Sequence, residues 1–350
     1  MKGDTFPFSP QKVDQGGQSP CVTRLTPDGE VCNHLYFTNR SYTSDDRKII
    51  YQSERDGGNA LFCIDLDKNT VTQLTEGKNL DYFPHPSRDN KLVFYGDGAC
   101  IRAVNIETLE ETTLLDAGEL TGLPVKKCSG TFPSWDGKKL VCFYEAPDVP
   151  EYGLIVINLE DGSAKVILRG TQHVRHCQFC PQDYDLIVYA HEGNWATIDA
   201  RMWLIRADGS ENRRVRDHDD GEEQVGHEFW ANTKRIIYFT VRREGKVYFS
   251  QYDVDAGRES TLFELDNEHC SISPADDVVI ADNKYGDCAM LLATLDGKTV
   301  PLCYPEMSWK REMSRFHPHP TFNYAGDKVI YTTDAFGTPG VFTAEIPKKF

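Results

Sequence analysis

The chain has no block of lysine and arginine: 38 basic residues stand against 54 acidic ones in 350 positions, for a formal charge of −16. A nucleic-acid partner, whose phosphates would need a basic stripe, is therefore not expected. No apolar run is long enough to span a bilayer, and Met1 to Pro10 carries charge and proline where a secretory signal would place an apolar core. No membrane partner is expected, and the expected location is the cytoplasm. Helical periodicity is almost missing, which excludes a helical bundle. Eleven cysteines are an odd count, and many, such as Cys63, Cys142 and Cys303, sit in apolar strand-like runs. That usage fits reduced, buried thiols and not a disulfide framework. Only Cys177-Gln-Phe-Cys180 has CxxC spacing, and without a second such pair it reads as two strand residues rather than a redox or zinc site. An anionic ligand would need local positive charge, from a few arginines or a metal ion.

What the chain does have is repetition. A polar turn followed by a β-rich run recurs as Asp46-Arg-Lys-Ile-Ile-Tyr51, Asp89-Asn-Lys-Leu-Val-Phe94, Asp136-Gly-Lys-Lys-Leu-Val141, Asp183-Tyr-Asp-Leu-Ile-Val188, Thr233-Lys-Arg-Ile-Ile-Tyr238, Asp276-Asp-Val-Val-Ile280 and Asp327-Lys-Val-Ile-Tyr331. The interval is roughly 43 to 51 residues, the length of a four-stranded propeller blade. Four short antiparallel strands in each of seven repeats predict an all-β, seven-bladed β-propeller, a single domain over residues 1–350. The seventh repeat ends after Gly340-Val-Phe-Thr-Ala-Glu345 without a fourth strand of its own, while Cys21-Val-Thr-Arg-Leu-Thr26 copies Val71-Thr-Gln-Leu-Thr75. An N-terminal strand at about 20–27 is thus predicted to complete the last blade and remove its exposed edge.

Strands a to d of a blade run from the axis outward. His34, His85, His176, His227, His269, His317 and His319 all fall in the connection into strand a, or at its start, so seven of ten histidines are expected at one mouth of the channel. Capping of strand backbones is the alternative role for such residues. His317-Pro-His-Pro320 is the most specific element. A residue before proline is pushed out of the helical region, so both histidines are expected in extended chain, where i and i+2 face one side and can share a metal ion. Arg201, in Asp199-Ala-Arg-Met-Trp203 at the start of strand c of blade 4, is expected at the same face. There it could clamp a carboxylate or pair with Asp199 or Glu192. His191-Glu-Gly193 ends strand b of that blade, either lining the mouth or packing between blades.

From Thr23-Arg-Leu-Thr-Pro27 to the last blade, the chain resembles the oligogalacturonate lyases, cytosolic bacterial enzymes of pectin breakdown built on a seven-bladed propeller. The resemblance rests on His191-Glu-Gly193, Asp199-Ala-Arg-Met-Trp203, His227-Glu-Phe-Trp230, Ser308-Trp309 and His317-Pro-His-Pro320 taken together. It implies His269, His317 and His319 as ligands of a divalent metal, usually Mn2+, His227 as the Brønsted base, and Arg201 as a substrate-binding and catalytic arginine. Substrate-binding roles for His176 and His191 are expected beside them. His176 could hold a sugar carboxylate, donate a proton to the leaving oxygen, or simply pack in its blade. The family's fourth ligand, a glutamine three residues before the first histidine of the motif, is replaced here by Ser314, and the segment from Trp309 to His317 is short. Water, Glu312 or a substrate oxygen would fill that position.

The implied activity is cleavage of short uronate oligosaccharides, oligogalacturonides foremost, by metal-assisted β-elimination to a 4,5-unsaturated product. The implied partner is an acidic oligosaccharide; no obligate protein partner is implied. The C5 proton lies α to a carboxylate and is very weakly acidic, so a cation and an arginine are suited to stabilising the developing charge, and a histidine is suited to be the base. Three other readings stay open: a lyase of another uronate oligosaccharide, a non-catalytic TolB-like binding propeller, and a glycoside hydrolase using two carboxylates among Asp81, Glu192, Glu228 and Asp334.

Overall fold

The first three repeats start their sheets with the same side-chain clasp. The hydroxyls of Thr43, Ser87 and Ser134 donate to Asp45, Asp89 and Asp136 at 2.6, 2.6 and 2.5 Å. The same oxygens accept the backbone N–H groups of Lys48, Leu92 and Lys139 at 3.0, 2.9 and 2.9 Å. Asp46, Asn90 and Gly137 take the left-handed conformation that reverses the chain, with φ of 55°, 62° and 71°. Register between strands a and b is thus set locally, by turn chemistry that the recurring polar motif encodes.

The computed structural model describes residues 1–14, 21–76, 80–194, 198–216, 223–284, 289–305 and 316–348. They form seven antiparallel sheets, each with four blade strands, the arrangement of a seven-bladed β-propeller. Two compact units are distinguished, one of Asn79–Thr261 and one of Met1–Lys78 with Leu262–Phe350. In the second unit blade 7 consists of Thr321–Phe322, Lys328–Thr333 and Gly340–Glu345, and its outer strand is the N-terminal Val22–Arg24, with Val22 opposite Ala344. The predicted completion of the last blade is therefore observed. Two strands were not foreseen: Gln11–Val13 adds to Val22–Arg24, and Thr5–Pro7 adds to Thr70–Gln73 of blade 1. Both cover sheet edges that would otherwise present unpaired backbone.

The core lies between blades. Strand b carries a fully buried tyrosine in six of them: Tyr51, Tyr95, Tyr144, Tyr189, Tyr238 and Tyr331. A planar ring of this size fills the wedge between twisted sheets, and its apolar area is the main source of stability there. The ten described cysteines are free thiols, and burial pushes the Cys180 thiol up to about 11, so the CxxC pair is structural. Among the described residues no helix is long and apolar enough to cross a membrane.

Candidate active site

In the unit Asn79–Thr261, the innermost strands of three successive blades are bulged at the same place. The ladder shifts register between Ser129 and Phe132 in blade 3, Arg175 and Gln178 in blade 4, and Gly226 and Phe229 in blade 5. Inside each bulge one residue takes positive φ: Gly130 at 74°, His176 at 52° and His227 at 55°. Glycine accepts that conformation freely, whereas a histidine held there costs about 1–3 kcal/mol, a strain that concentrates at functional sites. The bulge re-aims a side chain that strand alternation alone would direct otherwise.

His176 and His227 line one cavity of about 390 Å3, together with Glu192, Arg201, Gln224, Val225, Gly226, Thr240 and Arg242. That volume falls in the range of small-molecule sites. Arg201 donates from Nη1 to Glu192 at 2.6 Å, and from Nε and Nη2 to the two oxygens of Glu228 at 3.2 and 3.4 Å. The Glu228 side chain is 0% exposed, so it anchors the guanidinium from behind. His176 donates from Nε2 to Glu192 at 2.9 Å. Burial raises the pKa of Glu192, but the hydrogen bond from His176 and the charge of Arg201 outweigh it and hold the carboxyl well below its ordinary range.

His191 lies beside this cavity and not among its lining residues. Its Nδ1 donates to Asp199 at 2.7 Å, its backbone N–H donates to the Arg201 carbonyl at 2.8 Å, and its ring lies 4.9 Å from that of Trp203. These contacts hold the segment that presents Arg201.

The other unit gathers His269, His317 and His319, whose ligand atoms all lie within 4.8 Å of one another. Asp282, at the end of strand b of blade 6, accepts from His269 Nδ1 at 2.9 Å and from the backbone N–H groups of Glu268 and His269 at 2.7 and 2.9 Å. With its proton on Nδ1, His269 turns the lone pair of Nε2 outward, the tautomer a metal ligand needs. Three imidazoles so disposed, one with a buried carboxylate behind it, fit a divalent transition-metal ion. Burial pushes the Asp282 carboxyl up against the pull of the two backbone N–H groups, and a cation on His269 would favour the ionised form that accepts from Nδ1.

The His317-Pro-His-Pro segment differs from expectation in one respect. His319 is not extended but left-handed, with φ of 43°. Proline disfavours the right-handed helical region before it, and the left-handed well is the one taken here. The conformation is held from outside: His34 Nε2 donates to the His319 carbonyl at 2.8 Å while its Nδ1 accepts from the Thr332 hydroxyl at 2.7 Å. Burial lowers the His34 pKa to about 4, so the ring is a neutral brace. Phe37 and Tyr36 pack on the His319 ring, with centroids 6.1 and 4.8 Å away. His85 is buried as well, with Nδ1 donating to the carbonyl of Pro86 at 2.7 Å. For His34 and His85, capping of backbone is thus the observed role. Ser308, Trp309, Glu312 and Ser314 lie outside the described residues.

Comparison with known proteins bears directly on this arrangement. The family model described as oligogalacturonate lyase matches residues 1–256. The chain belongs to the oligogalacturonate lyase family. An oligogalacturonide lyase of Pectobacterium atrosepticum is 26% identical over 390 residues, covering 99% of this chain and 98% of that protein. An oligogalacturonate lyase of Dickeya dadantii gives the same identity over 391 residues, with the same coverage. A solved oligogalacturonate lyase in complex with manganese superposes with a TM-score of 0.89 at 26% identity, covering 99% of this chain and 98% of its own. As a member of this family the chain is a lyase, and the propeller is the family's fold. Sequence reading missed Asp282 and Arg242 as site residues, and named Glu228 only as a candidate hydrolase carboxylate and not as the anchor of Arg201. A signal existed for the first: Glu192 and Asp282 both end strand b of a blade with a candidate histidine in its inner strand or directly before it.

Proposed function

We propose that this lyase cleaves short oligogalacturonides by β-elimination across C4 and C5 of a uronate, breaking the C4–O4 bond, with His227 as the base and manganese as the cation. The family and its pectin-derived substrates set the class. The observation that carries the residue roles is the pairing of a strained, cavity-lining His227 with an anchored guanidinium, Arg201, in one small-molecule-sized space. His227 takes the C5 proton. Arg201 and Arg242 bind carboxylate and oppose the charge that builds as the proton leaves, which a low-dielectric cavity strengthens. His269, His317 and His319 would hold the metal, with Asp282 fixing the first of them, and the ion would supply Lewis-acid stabilisation of a carboxylate. His191 acts behind Arg201, through Asp199 and Trp203.

The test is incubation of the protein with di- and trigalacturonate plus manganese, following the ultraviolet absorbance of the unsaturated product. His227→Ala should lower kcat by at least about 10²–10⁴-fold, the usual worth of a general base, with manganese content unchanged. Wild-type activity in His227→Ala would remove it as base; absence of product with the wild type on either substrate would reject the substrate assignment.

A further inference from the structure

We infer that His176 is the general acid of the reaction, and that Glu192 positions it. The inference rests on the reading above that His227 removes the C5 proton of a galacturonate. In the common chair of galacturonate, the hydrogen on C5 and the oxygen on C4 are both axial and on opposite ring faces. One side chain cannot serve both, so an anti elimination needs a base and a separate proton donor. A sugar alkoxide is also too basic to depart unprotonated near neutral pH.

The cavity offers a second histidine from the neighbouring blade, at the same bulge position and with nearly the same φ, 52° against 55°. A carboxylate holds His176 in place. Glu192 accepts from His176 Nε2 at 2.9 Å and from Arg201 Nη1 at 2.6 Å, so the carboxylate is held by two donors and fixes the orientation of the His176 ring. The Phe83 ring meets the His176 ring edge-on at 6.0 Å and limits its swing. The charged groups around it are Glu192, Arg201, His227 and Arg242 at the cavity and Glu228 behind Arg201; on its own strand, His173 and Arg175; and on the preceding blades, Asp81, Lys127 and Glu145. Glu145 is occupied by His173 and Arg175, at 3.1 and 3.0 Å.

The step balances as follows. The C5–H bond breaks, its proton passing to His227 and its electron pair becoming the C4–C5 double bond. The C4–O4 bond breaks, its pair leaving on O4, which takes the proton of the His176 imidazolium. His176 ends neutral and His227 protonated, and exchange with water restores both; no oxidant or reductant takes part.

The experiment compares digalacturonate with a 4-deoxy-4-fluoro-galacturonide, whose fluoride departs without a proton, in wild type, His176→Asn, Glu192→Gln and His227→Ala. His176→Asn should lose about 10²–10⁴-fold in kcat on digalacturonate, and less than about tenfold on the fluoride; His227→Ala should lose both. On digalacturonate kcat should fall at high pH in the wild type, and that alkaline limb should vanish in His176→Asn and change in Glu192→Gln. Equal losses on the two substrates, or an alkaline limb unmoved in Glu192→Gln, would overturn the assignment while leaving His227 as base. Should His176→Asn fail to fold or the fluoride fail to react, the Glu192→Gln pH profile decides alone. A wild type without product on digalacturonate would overturn both readings together.

Discussion

Asp282→Asn isolates the support behind the proposed metal site without touching a ligand. The carboxylate accepts three hydrogen bonds, from Glu268 N, His269 N and His269 Nδ1. Asparagine keeps one oxygen, enough for the two backbone groups that converge on Oδ1, but turns an NH2 toward Nδ1–H of His269. Two buried donors then face each other. His269 relieves the clash by moving its proton to Nε2, which removes the lone pair a cation needs. Loss of such an outer partner typically weakens metal binding about 10–100-fold, or about 1.4–2.7 kcal/mol. Calorimetric titration of manganese into chelator-stripped protein, with the paramagnetic resonance of free manganese as a second readout, measures this directly. A dissociation constant within twofold of wild type would refute the reasoning, because the tautomer would then not depend on Asp282.

Three further outcomes follow from the same geometry. Exhaustive chelation should abolish product formation and added manganese should restore it; full activity after chelation would sink the metal reading. Glu192 titrates at about 4.5 when unfolded and well below that when folded. Below pH 4.5 the unfolded chain therefore binds the proton first, and the contribution of Glu192, present in full above that pH, is lost as pH falls toward the native value. In denaturant titrations Glu192→Gln should accordingly be less stable than wild type at pH 7, with the gap narrowing progressively as pH falls below 4.5; a gap independent of pH would contradict the ion-pair assignment. Tyr238, 1% exposed and stacked on Phe249 at 5.1 Å, should cost about 3–5 kcal/mol on replacement by alanine. A urea-measured loss under about 1 kcal/mol, far short of the usual cost of such a truncation, would show that the inter-blade wedge repacks.

Much of the architecture was legible because it is periodic. The polar turn and the apolar run after it encode a hairpin wherever they recur, so blade number and the borrowed strand Val22–Arg24 follow from counting. Thr5–Pro7 and Gln11–Val13 were not legible, since a three-residue edge strand carries no period and is defined only by the strand it covers. The histidines of the site were visible as a set at equivalent positions. Their individual roles were not: His34 and His319 lie in the same kind of connection, yet one braces the backbone of the other.

By itself, then, the sequence determined the seven-bladed propeller and the lyase family, and it marked His227, Arg201 and the His269, His317, His319 set as candidates. Only the tertiary structure decided which side chains act in pairs. Glu228 lies under Arg201, Glu192 on His176 and Asp282 on His269, because such contacts depend on strand register and bulges that join residues 13 to 27 positions apart. A bulge carried by histidine leaves no glycine to announce it, so the left-handed His176 and His227, and the cavity they share, exist only once the sheets have formed.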